Sequence, residues 1–161
     1  RLLGEAGVPV TTEVALGDEA GLARAAERMV SHSRRILGED PGNTEALATN
    51  ACGIAIQGDV RQFKERIELA LLLDPDNMLS RYNFACMAAA FLGDVDMAVD
   101  LLGPVFEVGT SSSFVRFAMA DPDLAEARNN RQIRKMLAGA TKRLPAVPEA
   151  SPAASAARPR S

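Results

Sequence analysis

Few side chains in this 161-residue chain have the reactivity that chemistry at a site requires, and their spacing limits what they could do. His32 is the only histidine, and it stands beside Ser33, the types that a base and a hydroxyl nucleophile would need. On a helix, however, adjacent residues point about 100° apart, and neither a glycine-rich elbow nor a third orienting group accompanies the pair. Catalysis by these residues is therefore not expected. Cys52 and Cys86 lie 34 positions apart, and neither belongs to a Cys-x-x-Cys unit. With a single histidine, the chain lacks the ligand set of a zinc site, so neither a metal nor a cofactor is expected. Packing in a tight helix interface explains two small thiols better than a disulfide does. A last candidate is the run of cations at Arg128, Arg131, Arg134, Lys135, Lys142 and Arg143. Such a run is either an anionic docking surface or the solvated side of an amphipathic helix.

Charge and composition narrow the partners. Residues 1–127 carry 10 Lys and Arg against 20 Asp and Glu, a balance of −10, whereas residues 128–161 carry 8 against 1, a balance of +7. The negative part repels phosphates, so nucleic acid is not an expected partner. Aromatic residues make up 4% of the chain, Trp is absent, and Ala and Leu abound, which favours close helix-helix packing over a sheet sandwich and predicts an all-α fold. No apolar run approaches the ~20 residues that span a bilayer, and no signal segment opens the chain, so a cytoplasmic protein without membrane insertion is expected. The chain opens on Arg1 rather than Met, which reads as part of a longer protein.

The elements that would position these residues follow from stops, caps and periodicity. Gly4, Gly7 and Pro9 break regular structure, so residues 1–18 read as a linker or a truncated upstream helix ending at Leu16-Gly17-Asp18. From Glu19 to about Gly38 runs a helix with Leu22, Ala26, Met29, Ile36 and Leu37 on one face, a stripe that Ser33 interrupts. Pro41 stops it, and Asn43 can cap a helix from Thr44 to about Gln57. Gly58 suits a left-handed helix end, and Asp59 with Gln62 reads as a capping pair for a helix presenting Val60, Phe63, Ile67, Ala70 and Leu71. Asp74-Pro75, Asn77, Ala85 and Cys86 repeat Asp40-Pro41, Asn43, Ala51 and Cys52 at a distance of 34. Val95, Ala98, Leu102, Val105 and Phe106 repeat the next helix at 35, so one residue is inserted between Cys86 and Gly93, and a wider turn is expected near Phe91. After the repeats come a Ser-capped helix with Phe114, Val115, Phe117 and Met119, a turn at Asp121-Pro122-Asp123 plugged by Leu124, and a final helix from about Asn129 to Leu144. That helix gathers Ile133, Met136, Leu137, Ala140 and Leu144 on one side, as a terminal cap would. The Pro, Ala, Ser and Arg of residues 145–161 are too poor in apolar bulk to offset ordering, which predicts disorder.

The 34-residue period, the Tyr82-Asn83-Phe84-Ala85 block, Gly-Asp at the turns, Ala98 and the closing Asp-Pro-Asp-Asn resemble the tetratricopeptide repeat over residues 44–110. Ile54 and Ala88 stand where that family usually has Tyr. The resemblance implies a short α-solenoid of stacked antiparallel helix pairs, with repeats at about 44–77 and 78–111 and capping helices at 112–144 inside a domain spanning 19–144. The pattern from Phe117 through Asp121-Pro122-Asp123-Leu124 to Leu137 is similar to the C-terminal end of tetratricopeptide modules appended to bacterial class III adenylyl cyclases and related regulators.

In that family the first helix of each repeat lines a groove that receives a protein or peptide. Carried onto this chain, the groove comprises Ala48, Thr49, Cys52 and Ala55, then Leu79, Tyr82, Asn83, Cys86 and Ala89, with Glu45 at its edge. A lining of Ala, Cys and Tyr suits an apolar helix laid against it, from a partner or from a second copy of the chain. The resemblance thus implies a non-catalytic protein-protein interaction module of a larger bacterial signalling protein, or alternatively an oligomerisation or structural cap of an upstream enzyme such as an adenylyl cyclase. Arg128, Arg131, Arg134 and Lys135 form the second, basic surface.

Overall fold

The computed structural model describes residues 18–107 and 111–143; the expected linker before Asp18, the C-terminal Leu144 and the 145–161 tail lie outside the described residues. Those residues form seven α-helices and no strand: α1 Glu19–Glu39, α2 Thr44–Ile56, α3 Val60–Leu73, α4 Met78–Ala90, α5 Val95–Glu107, α6 Ser112–Ala120 and α7 Arg131–Lys142. Two short 3-10 turns, Pro122–Leu124 and Ala127–Asn129, join α6 to α7. Helices that follow one another pack in pairs, α1 on α2, α2 on α3 and α4 on α5, while α2 also touches α4, and α7 rests on both α5 and α6.

Polar side chains satisfy the exposed amides at the helix starts. Asn43 Oδ1 accepts from Ala46 N at 2.9 Å and Asn77 Oδ1 from Ser80 N at 2.9 Å, so α2 and α4 open alike, 34 residues apart. Asp18, Asp59 and Asp94 cap α1, α3 and α5 in the same manner. Gly58 and Gly93 hold φ of 79° and 64°, a conformation that a Cβ would strain, and there the chain reverses into each second helix. The first reversal closes with Asp59 N donating to Ile54 O at 3.3 Å, the second with Asp94 N donating to Ala88 O at 2.9 Å. The second loop is one residue longer, which is the insertion anticipated near Phe91.

The core explains why the pairs stack. Ala51, Ala55, Phe63, Phe84, Ala85, Ala98 and Leu102 are all fully buried, and the Phe63 and Phe84 rings meet edge to face at 6.3 Å between α3 and α4. Ala51, Ala55, Ala85 and Ala98 let neighbouring helices come close, while the largest buried side chains, Tyr82, Phe63, Phe84, Leu47, Ile54 and Met87, are supplied by α2, α3 and α4. Gly53 marks the nearest approach, since a Cβ there would lie 2.8 Å from Val30 Cγ2 and 3.0 Å from the Ala26 carbonyl oxygen on α1.

Ser33 corrects one expectation. Rather than interrupting the buried stripe of α1 it is part of it, fully buried, with its hydroxyl donating to Met29 O at 2.6 Å and accepting from Asn50 Nδ2 at 3.0 Å. A serine can take a core position because the helix's own carbonyl and one partner amide satisfy it. Leu124 is fully buried under α4, as the plug was expected to be, and Ile133, Leu137 and Ala140 seat α7.

Candidate functional site

The nine residues expected to line a groove divide into two groups. Ala48, Thr49, Asn83 and Ala89 are half-buried and Leu79 is exposed, so these five reach the surface. Cys52, Ala55, Tyr82 and Cys86 do not: none exceeds 3% exposure, and all belong to the main core. They are buried because α2 is enclosed by α1, α3 and α4, and α4 by α2, α5 and the turn at Pro122–Leu124. A helix that is apolar around most of its circumference must bury several faces, and both helices have that composition.

Around Tyr82 the structure builds something the sequence did not announce. The Tyr82 hydroxyl donates to Asp121 Oδ2 at 2.7 Å, although the two residues are 39 apart in the chain. Asp121 Oδ1 accepts from Asp123 N at 3.0 Å, and Cys86 Sγ lies 4.0 Å from Asp121 Oδ2. The carboxylate is buried, and its hydrogen bonds stand in for lost water. Burial pushes the Tyr82 phenol and the Cys86 thiol up from their ordinary values, and holds the Cys52 thiol up at about 12. Both cysteines are free thiols, and as buried thiols they are poor nucleophiles.

An apolar strip lies directly over this cluster. The Tyr82 ring meets Phe114 at 4.9 Å and Phe117 at 6.0 Å, and Phe114 and Phe117 are 6.3 Å apart, so α4 and α6 are joined by aromatic contacts. Phe117 remains 51% exposed and Leu79, one helical turn before Tyr82 on α4, is 61% exposed. Asn83 follows Leu79 by one turn and supplies a polar edge. Phe117 was absent from the expected groove because a three-residue Phe spacing on an amphipathic helix reads equally well as core.

The basic surface also divides. Arg128 is half-buried, and its Nη1 donates to the carbonyl oxygens of Asp121 and Ala118, at the end of α6. Arg143 Nη2 donates to Phe106 O at the end of α5. A guanidinium there neutralises the negative end of a helix and satisfies carbonyls left without partners, so these two cations hold the fold together. Arg131, Arg134, Lys135 and Lys142 are exposed along α7.

His32 and Ser33 are not brought together as reacting groups, since Ser33 Oγ is engaged by Met29 and Asn50 while His32 Nδ1 is 3.5 Å from Arg35 Nη2. Among the described residues no cluster of three or more His, Cys, Asp or Glu is placed to hold a metal ion, and no helix is long and apolar enough to cross a membrane. Comparison with protein-family models, curated proteins and solved structures finds no match to this chain.

Proposed function

We propose that the chain is a non-catalytic protein-protein interaction module, a short solenoid of tetratricopeptide-like helix pairs serving a larger bacterial cytoplasmic regulator. Its contact surface is the apolar strip between α4 and α6. The observation that carries this reading is the exposure of Leu79 and Phe117, 61% and 51%, on either side of a buried Tyr82. Large apolar side chains grouped on neighbouring helices are a feature of surfaces that bind other proteins. The equivalent caps and reversals at intervals of 34 and 35 support the repeat reading. An amphipathic helix, which presents apolar anchors one turn apart, is the kind of partner that exposed apolar side chains on neighbouring helices suit.

Selection of displayed peptides against the full chain tests this. Enriched peptides should share apolar residues at helical spacing and should lose at least about tenfold affinity for the Leu79→Glu and Phe117→Ser variants. Leu79→Glu should leave stability within about 0.5 kcal/mol, as exposed substitutions do. Peptides that bind both variants unchanged would place the contact elsewhere.

A further inference from the structure

Four of the chain's seven aromatic rings meet in one cluster. Phe106 lies 6.5 Å from Phe114, Phe114 lies 4.9 Å from Tyr82 and 6.3 Å from Phe117, and Tyr82 lies 6.0 Å from Phe117. Tyr82 and Phe106 are buried and Phe114 is half-buried, so the exposed Phe117 ring is held against an aromatic base. The end of α7 is fastened beside this cluster. Arg143 Nη2 donates to the carbonyl oxygen of Phe106 itself, and Thr141 Oγ1 lies 3.7 Å from Met119 Sδ, on the helix that carries Phe114 and Phe117. Among the described residues, the large apolar side chains exposed elsewhere, Val60, Leu72 and Leu73, are all on α3, and none is aromatic.

The residues that follow Arg143 are Leu144-Pro145-Ala146-Val147-Pro148. Leu144 and Val147 are the only large apolar residues in 144–161, and Pro145 and Pro148 stand three apart. A polyproline II helix has three residues per turn, so both prolines fall on one edge of it, the form in which P-x-x-P segments lie on aromatic surfaces. Proline's fixed φ also lowers the entropy lost on ordering such a segment. Reach is sufficient: Phe117 is within about 13 Å of Phe106 by way of Phe114, and the five residues 144–148 extend about 15 Å at about 3.1 Å each. We infer that residues 144–148 fold back on the Phe117 side of α6 and occupy the apolar strip, with Val147 and Pro148 lying on the Phe117 ring. This occupant rests on the contact surface proposed above and adds its regulation: a partner helix has to displace the chain's own tail.

Methyl NMR on the full chain, labelled at Val and Leu, tests this. Ring currents should move the Val147 methyl resonances away from their positions in an unstructured peptide, and cross-relaxation should connect them to the Phe117 ring protons. Both effects should survive dilution, because the two residues belong to one chain. Two variants should each return Val147 to the unstructured positions: Phe117→Ser, and the pair Pro145→Gly with Pro148→Gly, which alters none of the described helices. The proline variant should also bind the displayed peptides at least about threefold more tightly, since apparent affinity follows the fraction of chains whose strip is open. Unstructured Val147 positions in the wild type would overturn the assignment, as would shifts that persist in Phe117→Ser. Shifts that vanish on dilution would put the tail of a second copy on the strip and overturn it too. A docked Val147 with no gain in peptide affinity in the proline variant would keep the tail's position but overturn its regulatory role. An undocked Val147 in a chain whose peptides are still lost on Leu79→Glu would remove the tail and leave the contact surface standing.

Discussion

Asp123 and Asp59 are both half-buried aspartates in turns, yet their surroundings act on them in opposite directions. Burial, followed by the charge of Asp121, raises the Asp123 carboxyl above its ordinary 3.8. Backbone N–H donation from Gln62 lowers that of Asp59 below the same value. A carboxyl raised by folding opposes the folded state once ionised: the penalty is absent below pH 3.8 and complete above the folded-state value. Asp123→Asn should therefore raise Tm at about pH 7, with the gain shrinking as the pH falls towards about 4. Thermal melts across that range check it, and a constant gain, or a loss at neutral pH, would contradict it. For Asp59 the sign reverses, and its contribution is present above 3.8 and fades as the pH falls through the lower folded value.

Between elements, the approach of α1 to α2 is set by one missing side chain. Gly53→Ala would press a Cβ to 3.0 Å from the Ala26 carbonyl oxygen, a backbone atom that cannot rotate away. Overpacking of this kind costs about 1–3 kcal/mol, more than the ~1 kcal/mol that Ala gains over Gly in a helix. Gly38→Ala is the matched control, because nothing beyond its own turn of helix lies within 4 Å of its Cβ position, and it should stabilise α1. Urea unfolding of both variants should give shifts of opposite sign. What could be read from sequence at this scale was local: Asn43, Asp59, Asn77 and Asp94 cap helices through bonds to residues three positions away, and Gly58 and Gly93 reverse the chain. What could not be read depends on distant neighbours. The burial of Cys52, Ala55, Tyr82 and Cys86 follows from which helices enclose α2 and α4. The roles of Arg128 and Arg143 follow from which carbonyls lie 7 and 37 residues away.

At the scale of the whole fold, a buried side-chain hydrogen bond ties the stacked pairs to the closing helices. Tyr82 on α4 donates to Asp121 in the turn between α6 and α7, and Arg128 secures the backbone carbonyl of the same aspartate. Tyr82→Phe keeps the ring contacts with Phe114 and Phe117 but deprives a buried carboxylate of a donor, a change worth about 1–3 kcal/mol. Hydrogen exchange in that variant should quicken in α7 more than in α1 and α2. Equal acceleration throughout would mean that the cap and the pairs open only together.

The three Asp-Pro turns carry a consequence for the covalent chain. Asp-Pro is the peptide bond most easily hydrolysed in mild acid, because the aspartyl carboxylate attacks its own carbonyl and the prolyl nitrogen is a good leaving group. Such bonds follow Asp40, Asp74 and Asp121, each at the residue that ends a helix. Acid hydrolysis thus cuts this polypeptide between helices and releases α2 with α3 as a single fragment. In the folded state both carboxylates accept from the amide two residues on, Asp40 from Gly42 and Asp121 from Asp123, but Asp40 is exposed whereas Asp121 is buried and held by Tyr82 as well. The Asp121–Pro122 bond is protected for as long as α4 and the closing turn stay together, so its scission serves as a chemical clock for their separation.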